Sequence, residues 1–277
     1  MIGWIALDID GTITNDKYSV PDPVINYLQD AQEKGWKILL TTGRAASFAS
    51  LALKKMNFPF LLAAQNGSIA LEMPAKKILF QSNMKARVID ELEKVYRGKK
   101  SDFLVYSGFE KGDFCYFRPK FLNEENLAYV LAICEREKKE GMSVDEFPRD
   151  IEIPLIKCFG RIDFMQTLGR ELIQSNLFSL ALIRDPFHPS NHILMVTDCE
   201  ASKGEALKKL ISLLGRGECV IGAGNDENDM SLLQVADVKI AMPKSPEILR
   251  IVADFIAPPV SENGIIDALK IAMKKCG

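Results

Sequence analysis

Four short stretches of this chain concentrate the residue types that handle phosphoryl groups and hard cations. The first, WIALDIDGTITND, places Asp8 and Asp10 directly after an apolar run, followed by Gly11 and Thr12. Two carboxylates that close repel, and one is forced to hold a proton unless a cation sits between them. The second, WKILLTTGR, ends in Thr41, Thr42, Gly43 and Arg44, and the third, FPFLLAAQNGS, ends in Asn66 and Gly67. The last, GNDEND, clusters Asn225, Asp226, Asn228 and Asp229, and Lys203 stands at the front of the helix leading into that strand. Hard oxygen donors in this number suit Mg²⁺, which takes one or two carboxylates, some waters and a substrate phosphate. A lysine, a threonine hydroxyl and free backbone N–H groups after a strand suit phosphoryl oxygens. An aspartate can itself be the nucleophile in phosphoryl transfer. One carboxylate then attacks, the other moves a proton, and the cation screens their repulsion.

Each stretch alone has a plainer reading. Asp and Gly favour turns, Thr-Gly after a strand often enters a helix, and a lone lysine is usually solvated along its helix. The combination, in chain order and always at a strand end or helix start, carries the inference. For such residues to meet, the strands bearing them must end side by side. Apolar runs do alternate with helix-period segments at both ends of the chain. WIALDI is followed by PDPVINYLQDAQEKG, in which Val24, Tyr27, Leu28 and Ala31 recur at helical spacing between proline and glycine signals. WKILLTTGR, AASFASLALKKM and FPFLLAAQNGS continue the pattern; ECVIGAGN, VKIAM, ADFIAP and the helix GIIDALKIAMKK resume it later. Strand–helix alternation with short connections predicts a parallel sheet covered by helices, and ligands bind beyond the carboxyl ends of such strands.

Between these halves the character changes. SIALEMPAKKILFQS and DFLVYSGFEKGDFCYFRP read as hairpins, NMKARVIDELEKVYRG and NEENLAYVLAICEREKKEG as helices, and IKCFGRID, LFSLALIRD and HILMVTD as strands. The expectation is an α/β class chain: a Rossmann-like parallel-sheet core over 1–82 and 191–277, interrupted by an α+β domain over 83–190.

The bulk composition excludes several classes. With 35 Lys and Arg against 37 Asp and Glu, the formal net charge of -2 supplies no field for a nucleic-acid backbone or an anionic membrane. No apolar run approaches membrane-spanning length, and Asp8 and Asp10 interrupt any signal-peptide core. The six cysteines include no C-x-x-C pair, so reduced thiols in a cytoplasmic protein are expected. A dinucleotide site is set aside, because the first strand leads to D-G-T rather than G-x-G-x-x-G.

DIDGT, TTGR, SKGEAL and GNDENDMSLL, in that order, resemble the haloacid dehalogenase-like hydrolases. The large insertion, QNGS and TDCEASKGEAL are similar to the Cof-like (type IIB) phosphatases with a C2 cap. The resemblance implies Asp8 as nucleophile and Asp10 as general acid, then base. It implies Thr42 as a donor to a phosphoryl oxygen and Lys203 as the charge neutraliser. Gly11, Thr12, Gly43, Arg44, Asn66 and Asn228, at the same strand ends, are expected with the phosphate. Mg²⁺ would be held by Asp8, the Asp10 carbonyl and an oxygen of the fourth motif. That motif usually reads GDxxND, whereas here Asn225 takes the first acidic position. The ligand there is Asn225 or Asp226, and Asp229 matches the second acid. The implied reaction is hydrolysis of small phosphomonoesters, sugar phosphates or phosphorylated cofactors. Alternatives are a phosphomannomutase-like phosphotransferase and a weakly active phosphate- or metal-binding regulator. The resemblance assigns substrate choice to the inserted domain, where Arg118, Lys157, Arg161 and Arg184 are candidates. His188 and His192, at the return to the core, read as hinge or surface residues, and DFCYFRPKF as strand packing.

Overall fold

The first strand of the computed structural model is buried along its whole length, with pairing strands on both sides. That burial explains why WIALD shows no polar alternation: both faces of a central parallel strand are covered. The structure describes residues 2–138, 141–174, 177–185, 188 and 190–277. In chain order the first part carries β1 (Gly3–Asp8), α1 (Asp22–Glu33), β2 (Trp36–Thr41), α2 (Ala46–Ala52), β3 (Phe60–Ala64), β4 (Ile69–Met73) and β5 (Lys77–Gln81). Then follow α3 (Arg87–Tyr96), β6 (Phe103–Tyr106), β7 (Cys115–Phe117), α4 (Glu124–Glu137), β8 (Met142–Ser143), β9 (Leu155–Gly160), α5 (Ile162–Ile173), β10 (Phe178–Arg184) and β11 (His192–Asp198). The last part carries α6 (Lys203–Leu214), β12 (Cys219–Gly224), α7 (Met230–Val235), β13 (Val238–Ala241), α8 (Glu247–Val252), β14 (Phe255–Ile256) and α9 (Ile265–Cys276).

These elements form two compact units, Met1–Gln81 with Ala201–Gly277, and Ser82–Glu200. The first holds an eight-stranded sheet in the order β14-β13-β12-β1-β2-β3-β4-β5. The six strands from β14 to β3 run parallel, and β4 and β5 close one edge as antiparallel hairpin strands. Trp4, Ala6, Leu39 and Val220 pack against Ala206, Leu207 and Leu210 of α6 and Leu232 of α7. Helix α1 buries Val24, Ile25, Leu28 and Ala31, the stripe that its 3.6-residue period requires. Register decides where the chemistry gathers: Asp8 stands opposite Thr41, and Leu7 opposite Ala223. The carboxyl ends of β1, β2 and β12 are therefore level.

The second unit is a six-stranded sheet in the order β10-β11-β9-β6-β7-β8, antiparallel except for the β7–β8 pair. Phe103, Val105, Ile156 and Cys158 share a core with Val88, Ile89 and Leu92 of α3 and Met165, Leu168 and Leu172 of α5. On the other side of the alternation, Phe159 meets Tyr129 of α4 with ring centroids 5.0 Å apart.

Three expectations are corrected here. The strand His192–Asp198, which reads with the α+β stretch although the expected boundary falls at 190, pairs with β9 and β10. The insertion therefore runs to about Glu200 rather than 190, because a period-2 apolar pattern does not say which sheet receives the strand. Helix α5 lies between two strands where no helix was read, although Met165, Leu168 and Leu172 carry helical spacing. The cysteines are not all free thiols: Cys219, the first residue of β12, is bonded to Cys276 in the last turn of α9, with Cα atoms 5.7 Å apart. Their sequence separation of 57 gave no spacing signal, and packing of α9 beside β12 brings them together. Among the described residues no helix is long and apolar enough to cross a membrane.

Candidate active site

Asp8 is the last residue of β1 and is 4% exposed. Its Oδ1 accepts from Lys203 Nζ at 2.5 Å, and its Oδ2 accepts from Thr12 Oγ1 at 3.1 Å. The same ammonium donates to Asp229 Oδ1 at 2.6 Å. Lys203 is only 1% exposed, so one buried cation is shared by two buried carboxylates. Burial, reinforced by the charges of Asp229 and Asp10, pushes Asp8 up to about 8 despite the pull of Lys203. Burial works against the Lys203 charge, but Asp229 and Asp8 outweigh it and raise its pKa above the usual lysine range.

Lys203 is placed by its helix start. Ser202 caps α6, its Oγ accepting from Glu205 N at 3.1 Å. The S-x-x-E spacing is a capping signature legible in the sequence, yet Ser202 was not among the anticipated residues. Gly67 is required beside it: a Cβ there would lie 2.2 Å from the Ser202 carbonyl oxygen, and its φ is +94°. Gln65, Asn66 and Gly67 all take left-handed conformations, which turns the chain sharply after β3.

The other expected residues fall into two groups. Asp10 and Thr12 follow β1, which Asp8 ends, Thr42 and Gly43 follow β2, and Asn225 follows β12. Thr42 Oγ1 accepts from Arg44 N at 3.1 Å, so its own O–H can still donate. Gly11 has φ +81°, and a Cβ there would meet Asn225 Nδ2 at 2.4 Å. The absence of a side chain at Gly11 leaves room for the Asn225 amide, whose Oδ1 lies 3.5 Å from Thr12 Oγ1, the hydroxyl bonded to Asp8. The second group is engaged elsewhere. Arg44, expected at the phosphate, pairs through Nε and Nη2 with the two oxygens of Asp10. Asn66 and Asn228 bond each other, Nδ2 of Asn228 donating to Oδ1 of Asn66 at 3.2 Å. Asp229, expected as a metal ligand, gives Oδ1 to Lys203 and Oδ2 to the N–H groups of Asn225 and Asp226 at 2.9 and 3.0 Å. Asp226 caps the short turn Glu227–Asp229, accepting from Glu227 N at 2.8 Å, and burial pushes it up to about 6.

Among the described residues, no group of three or more His, Cys, Asp and Glu side chains gathers as a metal cage. The side-chain oxygens that converge beside Thr12 are a carboxylate, Asp8 Oδ2, and a carboxamide, Asn225 Oδ1. That donor chemistry fits a hard divalent cation. So does the charge balance, since a single ammonium leaves Asp8 far above its ordinary range.

The four cationic candidates of the second unit separate by burial. Arg118 donates to Asp102 through Nε and Nη2, both at 2.8 Å, and pairs with Glu93. Its guanidinium also stacks 4.2 Å from the Phe147 ring centroid. Lys157 pairs with Glu137 at 3.2 Å over the ring of Tyr106. Both are internal supports, whereas Arg161 and Arg184 are exposed.

The chain is similar to known proteins over almost its whole length. A family model described as haloacid dehalogenase-like hydrolase matches residues 5–269. The phosphoglycolate phosphatase of Archaeoglobus fulgidus is 25% identical, the match covering 96% of this chain and 95% of that one. Phosphatase YwpJ of Bacillus subtilis is also 25% identical, with coverage of 96% and 98%. A solved haloacid dehalogenase-like hydrolase from B. subtilis superposes with a TM-score of 0.80 at 21% identity, covering 97% of this chain and 99% of that chain.

Proposed function

The chain belongs to the haloacid dehalogenase-like hydrolases, and from that premise we propose that it is a Mg²⁺-dependent phosphatase of small phosphomonoesters acting through an aspartyl-phosphate on Asp8. The observation that carries this reading is the buried Asp8 carboxylate, held between the Lys203 ammonium and the Thr12 hydroxyl at a strand end. A carboxylate so fixed is oriented for attack, and Lys203 keeps one oxygen directed. Two relatives named as phosphatases support the same reaction class.

In the first step an oxygen of Asp8 forms a bond to phosphorus as the bond to the leaving oxygen breaks. Asp10 gives its proton to that oxygen. In the second step Asp10 takes a proton from water, which attacks the same phosphorus. The Asp8 carboxylate is regenerated and inorganic phosphate leaves. Thr42 donates to a phosphoryl oxygen, and Lys203 balances the charge that collects beside Asp8. Asp8, Asn225 and the Asp10 carbonyl would hold Mg²⁺, whose chemistry when bound is to neutralise and orient the phosphoryl group. Asn225 rather than Asp226 is the side-chain ligand in this reading, because Asp226 is turned to its own capping bond.

The test is phosphate release from a panel of phosphomonoesters with and without Mg²⁺, for the wild type and Asp8→Asn. Metal-dependent release that Asp8→Asn abolishes supports the reading. Release that requires an added sugar bisphosphate would favour a mutase, and a fully active Asp8→Asn protein would sink the covalent mechanism.

A further inference from the structure

We propose that Arg44 is a positioning residue that acts on the reaction through Asp10, and that it does not bind the phosphoryl group. This inference rests on the phosphatase reading above. Arg44 is 5% exposed, and all three of its guanidinium nitrogens are engaged. Nε meets Asp10 Oδ2 at 2.8 Å, Nη2 meets Asp10 Oδ1, and Nη1 meets the Lys17 carbonyl at 2.6 Å. The flat face of the group lies 4.5 Å from the Phe48 ring centroid. A guanidinium bonded along its edge and stacked on one face is poorly placed to receive an incoming anion.

The same contacts make it a strong clamp. Asp10 lies beyond the end of β1 and its side chain is 28% exposed. Gly11, with φ +81°, follows it. Among the described residues no other hydrogen bond grips its carboxylate. A two-pronged Arg–carboxylate pair fixes the plane of the carboxylate as well as its position, which a single bond does not. It uses two of about four lone-pair sites, so an outer site is left to carry the proton that passes to the leaving oxygen. The clamp is itself anchored across strands. Arg44 N donates to Thr42 Oγ1, and Arg44 O accepts from Gln65 N at 2.8 Å. Arg44 therefore ties the orientation of Asp10 to the turns after β2 and β3.

A residue that aims the proton donor should matter most when the leaving group most needs a proton. The experiment measures kcat and KM on substituted phenyl phosphates, from p-nitrophenyl to unsubstituted phenyl phosphate, for wild type, Arg44→Met and Arg44→Lys. Inhibition by inorganic phosphate is measured beside them. General acid catalysis contributes roughly 10²–10⁴-fold. Arg44→Met is therefore expected to lose about 100-fold or more in kcat on phenyl phosphate and less than about tenfold on p-nitrophenyl phosphate. Arg44→Lys keeps the charge and loses the fork, so it should fall between, with KM and phosphate inhibition within about threefold of wild type; it carries the test if Arg44→Met does not fold. An equal loss of kcat at every leaving group overturns the proposal. So does a tenfold weakening of phosphate inhibition with kcat kept, which would assign Arg44 to anion binding. A wild type that releases no phosphate from any ester would instead remove the phosphatase reading on which the proposal stands.

Discussion

Replacing Lys203 with methionine tests the electrostatic core of the site most directly. Methionine keeps an unbranched stem but removes the charge shared by Asp8 and Asp229, whose oxygens lie 2.5 and 2.6 Å from Nζ. At an effective dielectric near 20, each contact corresponds to about 6 kcal/mol of direct attraction, most of it offset by the desolvation of the three groups. The measurable cost is that of leaving buried carboxylates without their cation, about 3–5 kcal/mol. In a unit of this size, a loss of 1 kcal/mol lowers the melting temperature by roughly 2–4 °C. Arithmetic on these ranges gives a drop of about 6–20 °C at pH 8 in a metal chelator. The sign with pH is fixed. Asp8 already has a folded-state pKa above its unfolded value of 3.8, and losing Lys203 raises it further. Its contribution is therefore fully favourable below the unfolded pKa and is lost as pH rises through the folded pKa. The deficit of Lys203→Met should shrink at pH 5, and Mg²⁺ should restore part of it at pH 8. Thermal melts at the two pH values, with chelator or with Mg²⁺, measure all of this. A variant melting within 2 °C of wild type at pH 8 without metal, or a deficit that does not change with pH, would refute the charge-balance account.

Three further outcomes are expected. In chelator the wild type itself should lose stability between pH 5 and pH 9, because Asp8 titrates at about 8 and Asp226 at about 6 when folded, and Mg²⁺ should raise the melting temperature more at pH 8 than at pH 5; calorimetry at fixed metal concentration checks both. Arg118→Met strands Asp102, whose side chain is 2% exposed, and should cost about 3–5 kcal/mol in the unit Ser82–Glu200; denaturant melts and limited proteolysis would read it, and a change below 1 kcal/mol would count against the buried pair. Reducing Cys219–Cys276 opens a loop spanning 57 residues, worth about 4 kcal/mol in the chain-entropy model. Melting should fall in a phosphine reductant, and Cys276→Ser should match the reduced wild type and ignore the reductant.

Strand ends were legible because a parallel sheet writes its own signature. Fully apolar runs that break into Asp, Thr or Asn mark where a buried strand meets water at its carboxyl end, and β1, β2, β3 and β12 all do so. Asp8, Thr12, Lys203 and Asn225 were recognisable by residue type and position alone, since helix starts and strand ends are the places from which such groups can converge. Partner choice was not legible. Arg44 reads as an anion binder until the Asp10 carboxylate is seen on its fork. Asp229 reads as a ligand until its oxygens are found on Lys203 and two N–H groups. Arg118 and Lys157 read as candidates for substrate choice until their buried partners Asp102 and Glu137, distant in the sequence, are seen. The expected end of the insertion falls at 190, although HILMVTD reads with it, and the pairing of His192–Asp198 with β9 and β10 carries it to about Glu200. By itself, then, the sequence determined which elements exist and which of them end in reactive groups, because those depend on local periodicity and turn chemistry. Only the tertiary structure decided which charge neutralises which and where the chain returns from its insertion, because those are set by distances between residues far apart along it.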